Sequence, residues 1–145
     1  MTQASLPEFH CFRCIYTWVP RKVPARMCPR CKSKLWSIPR IRPLTLGTGL
    51  GVQEILGPKR TEVMAVLKEY GARDVRVFGS VRRQEATTKS DVDILVDRLP
   101  GKSLLDVAHL KAELRKILGH PVDVVEVDEL PWAMRPQVEA EAIPI

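Results

Sequence analysis

Between Val75 and Val96 two apolar runs are each interrupted by chemistry, and this stretch constrains the fold more than any other. Val75-Arg76-Val77-Phe78 alternates as a strand does, and Gly79-Ser80 stops it ahead of a polar segment able to make a helical turn. Such a junction offers backbone N–H groups and a hydroxyl to an anion, with glycine allowing close approach. Ten residues further on, Asp91-Val92-Asp93-Ile94-Leu95-Val96 opens a second strand. Residues i and i+2 of a strand share a face, so Asp91 and Asp93 converge. Two adjacent carboxylates repel and raise each other's pKa unless a cation lies between them. Magnesium suits the pair: it takes oxygen ligands, few of them from protein, and completes its shell with water and substrate phosphates. The alternative for the same residues is an ordinary turn feeding a strand whose acids are merely solvated.

The run Val-Phe-Gly-Ser-Val-x-Arg-x-Glu-Ala-x-x-x-Ser-Asp-Val-Asp-Ile-Leu-Val resembles the signature of the DNA polymerase beta-type nucleotidyltransferase superfamily, and within it the small prokaryotic minimal nucleotidyltransferases. The similarity runs from about residue 58 to the C-terminus. It departs from the branch at Arg82 and Gln84, where alanine and glycine are common, so the segment is bulkier and more basic. The resemblance implies a third carboxylate on the strand after the next helix, a position that Asp123 matches, and a phosphate-pairing arginine matched by Arg83. A surface salt bridge to Glu85 is the alternative for Arg83.

Charge divides the chain. Residues 1–60 carry +9 and residues 61–145 carry −3, so the basic charge belongs to the front module. An excess of this size suits nucleic acid or an acidic protein face, and equally a solvated basic surface. In that module Cys11-x2-Cys14, thirteen residues, then Cys28-x2-Cys31 has the spacing of a four-thiolate zinc site built from two knuckles. Four thiolates close the coordination shell, which makes the zinc structural and leaves His10 superfluous as a ligand; disulfides are the alternative. Phe9, Tyr16, Trp18, Leu35 and Trp36 are placed to form the short hairpins of a zinc ribbon. Its arginines and lysines, interleaved with aromatics, suit phosphates and bases, while ribbons also dock proteins. No apolar run approaches the roughly 18 residues of a membrane span and no hydrophobic signal core opens the chain, so a cytoplasmic protein is expected.

The expected organisation is a zinc ribbon over 1–42, a Pro/Gly-rich linker over 43–57 and a minimal nucleotidyltransferase domain over 58–145. Gly47-Thr48-Gly49-Leu50-Gly51 lacks the spacing of a dinucleotide fingerprint and reads as flexible connector. Pro58 opens a helix carrying Val63, Val66, Leu67 and Tyr70, and strands follow at about 74–78 and 91–97. Ser103 with Asp106 caps a second helix whose buried stripe is Val107, Leu110, Leu114, Ile117 and Leu118, with Lys111, Arg115 and Lys116 outside and Gly119 as its end. Pro121 to Val127 forms a third strand, with Glu126, Asp128 and Glu129 at its end and surface. The tail, with Arg135-x-x-Val138 and Glu141-Ala-Ile-Pro-Ile, resembles the branch's closing helix. The fold class is α+β: a small mixed-sheet nucleotidyltransferase core with flanking helices, preceded by the ribbon.

The resemblance implies magnesium-dependent transfer of a nucleoside monophosphate, AMP from ATP, to an acceptor hydroxyl. Asp91 and Asp93 would bridge two metals, Gly79 and Ser80 would hold the triphosphate, and Asp123 would serve the acceptor side. Minimal nucleotidyltransferases are commonly encoded beside HEPN-domain toxins, and members of the branch act as antitoxins by transferring AMP to a toxin tyrosine; the chain resembles such an antitoxin. Two other classes fit the same residues: a non-catalytic toxin- or nucleic-acid-binding protein, and an antibiotic-modifying nucleotidyltransferase.

Overall fold

A computed structural model describes residues 7–145, and the chain divides into two compact units at Arg42. In the first, β1 (Phe9–His10) pairs antiparallel with β2 (Thr17–Trp18), setting Phe9 opposite Trp18. Phe9 stacks on Trp36 at 5.1 Å between centroids, and Trp18 meets Trp36 edge-on at 5.0 Å. Trp36 donates its indole N–H to the Ala25 carbonyl at 3.1 Å. Only one knuckle carries a hairpin: Leu35 and Trp36 lie in turns, and the Phe12 N–H donated to the Trp36 carbonyl ties that turn back. Ile15, Tyr16, Val19, Val23, Met27, Leu35, Ile38 and Ile41 are exposed, so the aromatic cluster and the cysteines stand in for a core too small to hold alone.

The second unit is a mixed four-stranded sheet in the order β5–β4–β3–β6, from β3 (Arg76–Phe78), β4 (Val92–Val96), β5 (Val122–Glu126) and β6 (Ile143–Pro144). β3 runs antiparallel to both β4 and β6, while β4 and β5 are parallel. A parallel pair needs a crossover, and α4 (Leu104–Leu118) supplies it. Ser103 accepts the Asp106 N–H at 3.2 Å, and Gly119 ends the helix in the left-handed conformation. With α2 (Arg60–Glu69), α4 covers one sheet face: Val63, Leu67, Leu110 and Leu114 bury completely against Val77, Val92, Ile94 and Val96. On β4, Leu95 faces the other way, against Val127 and against Val138 of α5 (Arg135–Glu141). No helix among the described residues is long and apolar enough to cross a membrane.

Within the expected connector, the stretch from Gly47 onward is bonded to the second unit. The Gly47 and Gly49 N–H groups donate to the Arg83 and Gln84 carbonyls at 2.8 and 2.7 Å, and Leu50 exchanges both backbone bonds with Ala86. A Cβ on Gly47, Gly49 or Gly51 would lie 2.7 Å from an atom of Gln84 or Ala86, so the alternate glycines serve close approach rather than flexibility. A short helix, α1 (Val52–Ile55), follows, then a 3-10 turn over Gly57–Lys59 in place of the first turn expected at Pro58. Ile55 and Leu56 enter the core.

Gly49→Ala must push against backbone and is expected to cost about 1–3 kcal/mol. Gly57→Ala, whose Cβ meets only the Gln53 side chain at 3.4 Å, should be nearly neutral. Equal denaturation midpoints for the two variants would restore the flexible-connector reading.

Candidate functional site

In the first unit the four Sγ atoms of Cys11, Cys14, Cys28 and Cys31 lie within 4.8 Å of one another, with Cys11–Cys31 and Cys14–Cys28 both at 3.7 Å. A tetrahedron of zinc–sulfur bonds of about 2.3 Å has edges of about 3.8 Å, so the donor set fits that ion. None of the four is in a disulfide. The two knuckles repeat one geometry. Ile15 donates to the Cys11 carbonyl at 2.8 Å and Lys32 to that of Cys28 at 2.9 Å, and both adopt positive φ, 65° and 59°. Left-handed conformation is costly for such side chains, so the surroundings must impose it twice. Crowding splits the thiols. Burial and hydrogen bonds with the other three thiols push Cys14 up to about 12. Cys28, against the burial that would raise it, is held down to about 7 by the backbone of Cys31 and Arg30. A cation among the sulfurs removes that conflict.

In the second unit, Phe78 on β3 and Asp123 on β5 flank Asp93 in register on β4. Aligned residues share a face, so Asp93 and Asp123 project together from the side of the sheet that carries Leu95 and α5. Asp91 sits two residues before Asp93, exposed at the strand's entrance. Burial raises the Asp93 carboxyl to about 6, helped by the charges of Asp123 and Asp91 and opposed by Arg83. The three carboxylates are thus one electrostatic system with a deficit of positive charge. Their oxygen-only donor set suits a hard divalent cation such as magnesium.

Gly79 has a role at this site that the sequence does not announce. It opens α3 (Gly79–Arg82) at φ +76°, and a Cβ there would collide with the Asp93 carboxylate. Glycine therefore makes room for an acid. Nor is its N–H free for an incoming anion: it donates to Glu141 at 2.9 Å. Ser80 follows, half-buried. Arg83 bridges Glu85 at 3.0 Å and Glu141 at 2.9 Å, so the salt bridge read as its alternative role is present, with a second acid added. The two departures from the branch pattern also find their places. Arg82 donates to the Glu141 carbonyl at 2.8 Å, while Gln84 takes a positive φ of 55° and lays its side chain on Gly51. A glycine at 84 would adopt that backbone without strain.

Glu141 and Lys111 are the residues the sequence reading passes over. Glu141 is 8% exposed, and its spacing of three from Val138 was the available signal, since i and i+3 share a helix face. Lys111 is not on the outer side of α4: its ammonium lies 3.0 Å from Asp123 Oδ1 at the sheet edge. Four residues after Val107 and three before Leu114, it flanks the inward stripe. Among the described residues only the cysteines are gathered closely enough to form a ready metal cluster. The aspartates, mutually repelling and with Asp123 held by Lys111, are not. Glu126, expected at the strand end, accepts the Leu99 N–H there at 3.1 Å.

Comparison with known proteins places this geometry in context. The family profile described as nucleotidyltransferase domain matches residues 62–145. The protein adenylyltransferase MntA of Thermococcus cleftensis is 36% identical over 92 residues, which cover 63% of this chain and 90% of that protein. A candidate protein adenylyltransferase of Methanocaldococcus jannaschii is 35% identical over 86 residues, covering 59% of this chain and 92% of its own. Among solved structures, a candidate minimal nucleotidyltransferase superposes with a TM-score of 0.58 at 43% identity, over 68% of this chain and all of that one. A toxin–antitoxin complex with AMP-PNP shares the fold at 19% identity, with a TM-score of 0.53 over 59% of this chain and 71% of that one.

Two outcomes are expected. Protein purified without chelator should carry about one zinc per chain, bound by the four thiolates; metal-free, disulfide-linked protein would exclude the cluster. The second concerns Asp93, whose folded pKa of about 6 lies above its ordinary 3.8. The folded state then binds more protons than the unfolded one across that window, so the parent loses stability as pH rises from about 4 to about 6. Asp93→Asn does not titrate. In magnesium-free buffer its melting temperature should gain on the parent's across this range and hold the gain above it; a pH-independent difference would contradict the coupling.

Proposed function

The chain belongs to the nucleotidyltransferase domain family, and from that membership we propose that it transfers AMP from ATP to a hydroxyl of a partner protein, as the antitoxin of a HEPN-type toxin. The observation that carries the reading is the in-register pair Asp93 and Asp123 on adjacent parallel strands, with Asp91 at the entrance and Gly79 packed against Asp93. The similarity to a protein adenylyltransferase points to AMP and to a protein acceptor.

Asp91, Asp93 and Asp123 would hold the magnesium ions, which neutralise the triphosphate and favour the ionised acceptor oxygen. That oxygen forms a bond to the α-phosphorus, the bond from the α-phosphorus to the bridging oxygen breaks, and pyrophosphate leaves. The acceptor's proton passes to Asp123 and on to water. Lys111, at 3.0 Å from Asp123, holds that carboxylate in place without neutralising it fully, because one oxygen stays available. Gly79 and Ser80 line the triphosphate side. Arg83, whose charge already lowers the Asp93 pKa, adds positive potential there while anchored to Glu85 and Glu141. Positioning and charge neutralisation account for most of the rate.

Asp123→Asn keeps the side chain's shape and removes its basicity. Co-expressed with the cognate toxin, the parent should add one or more AMP masses to it, read by mass spectrometry. Asp123→Asn should bind the toxin yet transfer more slowly by a factor on the order of 100 to 10,000. Asp91→Ala with Asp93→Ala should abolish transfer in protein that remains folded by circular dichroism. Full protection of cells by Asp123→Asn with unmodified toxin would mean neutralisation by binding alone, and the catalytic reading would be withdrawn.

A further inference from the structure

The transferase site leaves the first unit without a task. Residues 1–42 hold nine Lys and Arg against Glu8 alone. Four thiolates on one zinc would still leave that surface strongly positive. The charge is not spread evenly. An open groove of roughly 860 Å³ lies on this unit, with Tyr16 and Trp18 among its walls and Arg21, Lys22 and Arg26 along it. All three cations are exposed, and none of them has a carboxylate within salt-bridge distance among the described ion pairs.

The aromatic side of the groove has a specific form. Tyr16 immediately precedes β2, two residues before Trp18. Their rings are stacked, parallel to within 9° with centroids 6.2 Å apart. Tyr16 is 37% exposed, and the Arg30 guanidinium lies 5.8 Å from its centroid. Trp18 is fixed from behind by Phe9 and Trp36. Rigid, parallel, partly open rings beside unpaired cations match a ligand that alternates flat π-faces with phosphates. An acidic peptide supplies the charge but nothing for the ring faces. A duplex supplies phosphates but keeps its bases stacked on one another.

We propose that the zinc-type unit binds single-stranded nucleic acid in this groove, with bases stacking on Tyr16 and Trp18 and phosphates held by Arg21, Lys22 and Arg26. This claim is independent of the nucleotidyl-transfer reading, which concerns other residues. Single-stranded RNA and DNA share the chemistry, and the binding experiment separates them.

The test uses the full zinc-loaded chain, fluorescein-labelled single-stranded RNA and DNA twelve-mers of one sequence, the matching duplex, and polyglutamate as competitor. Anisotropy should show binding of one or both single strands, with tryptophan emission quenched and the duplex at least tenfold weaker. Tyr16→Ala should weaken binding about five- to 150-fold, the loss of one stacked base, and Tyr16→Phe should restore most of it. The triple variant Arg21→Ala, Lys22→Ala, Arg26→Ala should lower the slope of log K against log salt by about 2, at roughly 0.7 per phosphate released. Zinc content reports whether each variant keeps its fold. If Tyr16→Ala loses zinc, the triple variant of exposed side chains decides alone. An unchanged salt slope, equal binding by duplex, or displacement by polyglutamate at equal charge each overturns the proposal, the last in favour of an acidic protein partner.

Discussion

The second unit turns on one buried carboxylate. Glu141, at the end of α5, is almost without solvent, and a charge so placed is tolerated only when it is paired and hydrogen-bonded. Its Oε1 accepts both the Gly79 N–H and an Arg83 N–H at 2.9 Å, while its own carbonyl accepts from Arg82. One residue near the C-terminus thereby fixes the turn between β3 and α3 from sixty residues away in sequence. That turn decides where Gly79 lies, and Gly79 decides how much room the Asp93 carboxylate has. The catalytic geometry proposed for this chain thus depends on an acid that touches none of the reacting atoms. Any change that strands Glu141 without Arg83 leaves a buried charge half-paired, which is the expensive way to lose an ion pair.

A second constraint pulls in the opposite direction. Asp93 is placed between two like charges and partly out of water, and the raised pKa records the unfavourable interaction. A sequence selected for stability alone would put a neutral side chain there. The surrounding residues confine the repulsion instead of removing it: Lys111 engages only Asp123, and Arg83 is shared with two glutamates. The site consequently keeps its appetite for a hard external cation.

How much of this the sequence disclosed follows from the range of the interactions. The Asp91-x-Asp93 pair, the Ser103 cap, the stop at Gly119 and the cysteine knuckles are local patterns, and each lies where its spacing puts it. The pairing of Asp93 with Asp123 needed the register of a parallel ladder, which no local pattern encodes, and came from resemblance instead. The roles of Glu141 and of Gly47, Gly49 and Gly51 depend on contacts across the fold. Glycines at alternate positions signal flexibility and close packing equally well, and only the carbonyls of Gln84 and Ala86 distinguish the two. Gly79 shows the same ambiguity: its left-handed backbone belongs to any tight junction, and the neighbour it spares, Asp93, lies on the next strand.

Both units gather groups that would repel one another once ionised, and the difference between them lies in what else holds the fold. The first has little core beyond its aromatic cluster, and its knuckle residues Ile15 and Lys32 sit in costly conformations. A metal among its thiols would therefore contribute to folding, as it does in small thiolate modules. The second has a continuous core on one face of its sheet and a smaller one on the other, so its carboxylates can stay repelled in the absence of metal without unfolding the chain. A closed thiolate shell has no position left for a substrate, whereas carboxylates at the entrance end of β4 and on the neighbouring β5 do. On this asymmetry, a metal with an open position for chemistry would sit among the aspartates, while one among the cysteines would serve to hold its unit in shape.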